Sequence, residues 1–117
     1  MNKSPAIVLT RLDVQRLEKV MADIPAPLEM LEALEDELLR ARVISHKQIP
    51  KDVVTMNSTV RFIDEASDRE FVLTLVYPDQ AGRPGTISVL APVGMALLGL
   101  KIIDVLYQPE ANGDFHL

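Results

Sequence analysis

Apolar residues recur at helical spacing twice in the first third of the chain. Val14, Leu17, Met21 and Ile24 follow 3-4-3 steps and fall on one face, while Arg16, Glu18 and Lys19 remain for water. Thr10 stands before this stripe with Asp13 three residues on, the spacing of a reciprocal cap in which aspartate replaces the usual Glu or Gln. Leu9 and Val14 occupy the two staple positions around that cap. The pattern predicts a first helix from near Arg11 to Ile24, ended by Pro25, which disfavours helical backbone before it. A Pro-Ala-Pro turn follows, with Pro27 placed as the first residue of a second helix. Leu31, Leu34, Leu38 and Ala41 repeat the stripe there, and Glu29, Glu32, Glu35, Asp36 and Glu37 supply the polar surface. Arg40 and Arg42 sit near the C-terminal end, where cations suit the helix dipole. Two such helices on so short a turn are expected to pair antiparallel. Each would be roughly 20 Å long, a stubby projection rather than a long probe.

The period then changes. Residues 43–52 mix polar side chains with Pro50 and read as a connection. Beyond them Val60 and Phe62 alternate with Thr59, Arg61 and Ile63, and the polar residues 65–68 read as a turn. In residues 69–77, Phe71, Leu73, Leu75 and Tyr77 share one strand face; Val72, Thr74 and Val76 take the other. A second, longer turn at residues 78–85 leads into an extended run over residues 86–90. That run passes directly into a helix started by Pro92, whose missing N–H costs nothing in a first turn, and closed by Gly99 in a left-handed conformation. The expected fold class is α+β: a short N-terminal antiparallel helical hairpin over residues 1–43, then an antiparallel sheet with a short helix over residues 44–117.

Composition narrows the function classes. A chain of 117 residues with 48% hydrophobic content suits one compact unit with a real core. No run is long enough to span a membrane, and the N-terminus lacks the apolar stretch of a signal peptide, so a cytoplasmic location and no membrane partner are expected. With no cysteine, disulfides, thiolate catalysis and cysteine zinc sites are excluded, and His46 and His116 are too far apart to signal a metal site. The formal charge of −5 opposes nonspecific nucleic-acid binding, and the five aromatic side chains have no basic patch among them. Direct sequence-specific binding to nucleic acid is therefore not expected.

The strand, Pro-Val-Gly turn and helix over residues 88–100, with residues 49–62, 74–78 and 106–117, carry a family resemblance. They are similar to the C-terminal, FKBP-like domain of the Gre transcript-cleavage factors, and the strings VVTMNS and YQPEA are particular to Rnk-like proteins, regulators of nucleoside diphosphate kinase, within that group. Gre factors insert a long coiled coil with an acidic, metal-holding tip into the secondary channel of RNA polymerase. The hairpin predicted here is a much shorter coiled coil and lacks the acidic-loop motif. The resemblance therefore implies a polymerase-binding competitor of Gre factors, without cleavage chemistry, whose action on nucleoside diphosphate kinase could be direct or indirect. A monomer is the expected state. Relatives also continue after the helix with a turn, a strand and a further turn, whereas here residues 101–111 follow at once. Either this chain carries an internal deletion near residues 101–104, or a stretch of a longer chain is absent there. The second is favoured, because losing a strand would open a sheet edge.

No motif for a nucleophile and oriented base, zinc hydrolysis or phosphate cradling occurs, so no catalytic, cofactor-binding or metal-binding residue is nominated. Ser58 follows Asn57 at a strand start and reads as a backbone hydrogen-bonding residue. Asp23, Pro25, Pro27 and Glu29 at the hairpin tip are the candidate partner-binding residues, and the acidic positions of the second helix are secondary candidates. Two other readings remain open. Asp23 and Glu29 could recruit a metal for Gre-type cleavage, or Phe62, Phe71, Tyr77 and Tyr107 could line a prolyl-isomerase cavity.

Overall fold

Thr10 starts the first helix as its spacing predicts. In the computed structural model, which describes residues 7–64, 67–101 and 105–107, its Oγ1 accepts the Asp13 backbone N–H at 3.0 Å. Helix α1 runs Arg11–Asp23, and Ile24 closes it by donating its N–H to the Val20 carbonyl at 2.9 Å. Helix α2 spans Leu28–Arg40 and begins one residue later than expected. Pro27, at φ −55° and ψ 139°, stands just outside it, and its carbonyl accepts the N–H groups of Met30 and Leu31. An extended ψ lets that carbonyl point into the first turn, which is the task of a cap rather than of a first helical residue.

Two short strands bracket the helices. Strand β1 (Val8–Thr10) pairs in parallel with β2 (Arg42–Ile44), Leu9 lying opposite Val43. Val43 and Ile44, expected in a connector, thus belong to a strand, and the connecting stretch follows with a short 3-10 helix at His46–Gln48.

The second sheet contains β3 (Thr59–Asp64), β4 (Arg69–Val76), β5 (Thr86–Ser88) and β6 (Val105–Tyr107) in the order β5-β4-β3-β6. β3 pairs antiparallel with β4 and β6, with Phe62 opposite Phe71. The expectation of an antiparallel sheet fails at β5, which runs parallel to β4. A parallel partner ordinarily needs a long crossover, but β5 covers only Thr74, Leu75 and Val76 of β4. The chain must therefore return by roughly 10 Å, three strand residues, which the loop of residues 77–85 achieves through left-handed turns at Gly82 and Gly85.

Helix α3 spans Pro92–Leu97, with Pro92 at its start and Gly99 left-handed at φ +78° beyond its end. Gly94 meets the sheet so closely that a Cβ there would lie 2.0 Å from the Ser88 carbonyl oxygen. This close approach fixes the short helix against the end of β5. Beyond it, Gly99 donates its N–H to the Val54 carbonyl and the Leu100 carbonyl accepts from Val54, both at 2.9 Å, so the residues before β3 pair with those after α3.

One core serves both halves. Leu9, Leu17 and Leu34 from the N-terminal elements share a buried cluster with Val54, Met56, Val60, Leu75, Val89, Leu97 and Leu98. The Cα radius of gyration is 13.5 Å, against roughly 13 Å for a compact chain of this length. The helices therefore lie on the sheet unit and do not stand away from it as the projection expected from their lengths. Residues 102–104, where a strand-turn segment was expected to be missing, lie outside the described residues, as do His116 and the tail after Tyr107.

Candidate interaction surface

The connection between α1 and α2 carries the candidate residues, and its geometry follows from two prolines. Pro25 and Pro27 fix φ on either side of Ala26, which packs against the core while the prolines stay exposed. The tip is thereby pinned from inside and stiff outside. Asp23 ends α1, where a carboxylate opposes the helix dipole. Its Oδ2 lies 4.0 Å from Lys19 Nζ one turn earlier, and with side chains 60% and 81% exposed this pair contributes little. Glu29 is the one acidic residue in the first turn of α2, where the dipole favours it. Asp23, Pro25, Pro27 and Glu29 are all exposed. Among the described residues no group of three His, Cys, Asp or Glu side chains is assembled as a metal cluster.

Two grooves flank the tip. On one side Arg16, Lys19, Val20, Asp23 and Ile24 of the α1 side face Tyr77, Asp79 and Gln80 across about 330 Å³. Asp23 thus belongs to a mixed-charge groove shared with the sheet unit, a relation that sequence spacing alone did not reveal. On the other side a groove of about 470 Å³ runs between α1 and α2, lined by Glu18, Met21, Ala22, Leu28, Leu31, Glu32 and Glu35. The acidic residues of α2 were legible as polar surface, but their convergence with Glu18 requires the helix pairing.

The isomerase reading needs its aromatic residues in one cavity. Phe62 and Phe71 instead stack on each other, centroids 5.5 Å apart, with Arg69 over the Phe71 ring at 5.6 Å. Tyr77 lies six strand residues from Phe71, roughly 20 Å, and lines the groove against α1. These groups occupy separate places, and the Tyr107 side chain lies outside the described residues.

Ser58 is fully buried and works on the backbone, as its neighbourhood predicts. Its Oγ accepts the Thr55 N–H at 2.9 Å and pairs with Thr55 Oγ1 at 3.0 Å. Asn57 adopts φ +68°, and the Ser58 N–H returns to the Thr55 carbonyl at 3.1 Å, giving the tight turn that aims β3. His46 is exposed at the start of its 3-10 helix.

Comparison with known proteins bears on both halves separately. Residues 5–44 match the family described as Rnk N-terminus, and residues 49–117 match Transcription elongation factor, GreA/GreB, C-term. The Escherichia coli K12 protein named Regulator of nucleoside diphosphate kinase is 39% identical over 134 aligned positions, covering 97% of this chain and 98% of the relative. The chain belongs to the Rnk branch of the GreA/GreB family. A further relative of this Rnk-type chain, the elongation factor GreA of Azorhizobium caulinodans, is 38% identical over 69 residues, covering 58% of this chain and 44% of its own. The solved structure of a GreA/GreB elongation factor from Nitrosomonas europaea is 46% identical, with a TM-score of 0.70 over 96% of this chain and 92% of that one. The Gre-like α/β fold of the Rnk-type chain is thus shared over nearly its whole length. Its alignment with the Escherichia coli relative has 134 positions against 117 residues here, so at least 17 positions have no counterpart in this chain.

Proposed function

We propose that this protein is a transcription regulator that binds RNA polymerase near the secondary channel and competes there with Gre factors, without cleaving the transcript. The observation that carries this reading is a Gre-type C-terminal half joined through one core to a short hairpin whose connection, Ile24, Pro25, Ala26 and Pro27, contains no carboxylate. The GreA/GreB match over residues 49–117 supports transcription as the setting, and the relative's name supports a regulatory role. Asp23 and Glu29 flank the connection on different helices, Asp23 beside Lys19, which favours surface recognition over metal holding. The N-terminal hairpin over residues 1–43 and the Gre-type, FKBP-like unit over residues 44–117 then form one docking body, acting as a monomer. The surplus of aligned positions is consistent with a strand-turn segment that this chain lacks, and peptide mapping across Lys101–Asp104 tests whether it belongs near residues 101–104.

The function is tested by co-purification with core RNA polymerase at low salt, followed by competition against a Gre factor and a cleavage assay on a backtracked complex with magnesium. Retention on polymerase, displacement of the Gre factor and no cleaved transcript are expected. Failure to bind polymerase at low salt overturns the reading. Cleavage that disappears with Asp23→Ala and Glu29→Ala would replace it by an active Gre-type factor.

A further inference from the structure

The groove between α1 and α2 is lined by residues of these two helices alone. Its lining combines Met21, Ala22, Leu28 and Leu31 with the carboxylates of Glu18, Glu32 and Glu35, and it contains no basic residue. Met21 and Leu31 are half-buried, while Leu28 remains 68% exposed. Leu39, four residues past Glu35 in sequence, is 78% exposed. Leu28, Glu32, Glu35 and Leu39 follow 4-3-4 spacing and fall on one face of α2, so the groove continues as a stripe with leucines at both ends. Two leucines on one helix face thus leave apolar surface in water that an occupant would bury.

The charges around this stripe are uncompensated. Arg40, in the last turn of α2, forms two 2.9 Å hydrogen bonds with Glu37 and so serves another carboxylate. Among the described residues no cation pairs with Glu18, Glu32 or Glu35. An apolar floor with a rim of one charge sign selects its occupant by complementarity: apolar anchors flanked by the opposite charge. The walls are two helices with no open sheet edge between them, a geometry that accepts a third helix by ridge-into-groove packing. From Leu28 to Leu39 the stripe is roughly 17 Å long, about three helical turns.

We propose that this groove docks a cationic amphipathic helix of a partner protein, with apolar side chains at i, i+3 or i+4 and i+7 entering between Met21, Leu28 and Leu31, and Lys or Arg meeting Glu18, Glu32 and Glu35. This groove adjoins the hairpin tip, but the inference does not depend on the polymerase reading. A second copy of this chain is a poor occupant, because its own exposed helix face is acidic at Glu32, Glu35 and Asp36.

The test uses the full chain, isotopically labelled, and a synthetic Lys/Leu amphipathic peptide of about 18 residues, long enough to form helix when bound. Methyl shifts concentrated at Met21, Ala22, Leu28 and Leu31, with binding that weakens as salt rises, are expected. Glu32→Lys should weaken binding about fivefold or more, since it replaces an attraction by a repulsion. Glu70→Lys changes net charge equally at an exposed position on β4 and should leave binding within about twofold. Loss confined to Glu32→Lys and rejection of a Glu/Leu peptide of the same pattern support the groove. No binding at low salt, shifts centred elsewhere, equal weakening by both variants, or equal binding of the Glu/Leu peptide would each overturn it.

Discussion

The Asp13 carboxylate accepts the Met56 backbone N–H at 3.1 Å, joining the first turn of α1 to the turn before β3 across 43 residues of sequence. Asp13 is 2% exposed and Met56 fully buried, so this bond forms without competing water. The same residue's N–H donates to Thr10 Oγ1, which makes the helix cap and the link between halves one unit. Asp13→Ala would leave a buried N–H unsatisfied and should lower unfolding free energy by about 2 kcal/mol. Asp13→Asn keeps an acceptor and should cost about half as much. Urea unfolding followed by circular dichroism measures both.

Because Leu17 and Leu34 share a core cluster with residues of the sheet, the helices and the sheet should unfold together. Leu34→Ala removes a fully buried side chain and should cost about 2–5 kcal/mol. The consequence lies in where the loss appears. Amide protection should fall in β3 and β4 as well as in α2, and a fall confined to the helices would show two separately folding units.

The elements legible from sequence were those with local causes. Thr10 as a cap, Pro25 as a stop, Pro92 as a start and left-handed Gly99 each depend on backbone chemistry within a few residues. The alternation at Val60 and Phe62 likewise marked β3 through its own buried face. What escaped depends on distant partners. β1 and β2 have three residues each, too few for a period, and exist because the helices bring Leu9 opposite Val43. The parallel β5 has the same composition an antiparallel strand would have, and direction is set by the loop of residues 77–85. At the candidate surface, the tip residues were readable because prolines punctuate it; the acidic groove was not, because Glu18 meets Glu32 and Glu35 only across two helices.

At the tip, Asp23 and Glu29 are exposed and contribute little to folding. Replacing both by alanine should change stability by less than about 1 kcal/mol. If the tip recognises polymerase, the same variant should compete severalfold less well against a Gre factor. Unchanged competition at unchanged stability would move the contact to another surface.

Gly94 tests the close approach that seats α3. Inside an exposed helix, Gly→Ala ordinarily stabilises by about 1 kcal/mol. Here the sign should reverse, because the new Cβ would sit 2.0 Å from the Ser88 carbonyl oxygen and 3.2 Å from Leu75 Cδ1. Backbone cannot yield as a flexible side chain does, so α3 would have to lift from β5, and a cost of about 2 kcal/mol or more follows. Gly99→Ala should be comparably costly, since φ is +78° and the Cβ would lie 2.8 Å from Ile7 Cβ. Gly82 provides the comparison: its φ is +100°, yet a Cβ there meets nothing within 4 Å. Gly82→Ala should carry only the backbone strain of about 1–2 kcal/mol. Chemical denaturation of the three variants separates contact from strain, and a Gly94→Ala protein as stable as the parent would show that α3 is not seated by contact with Ser88.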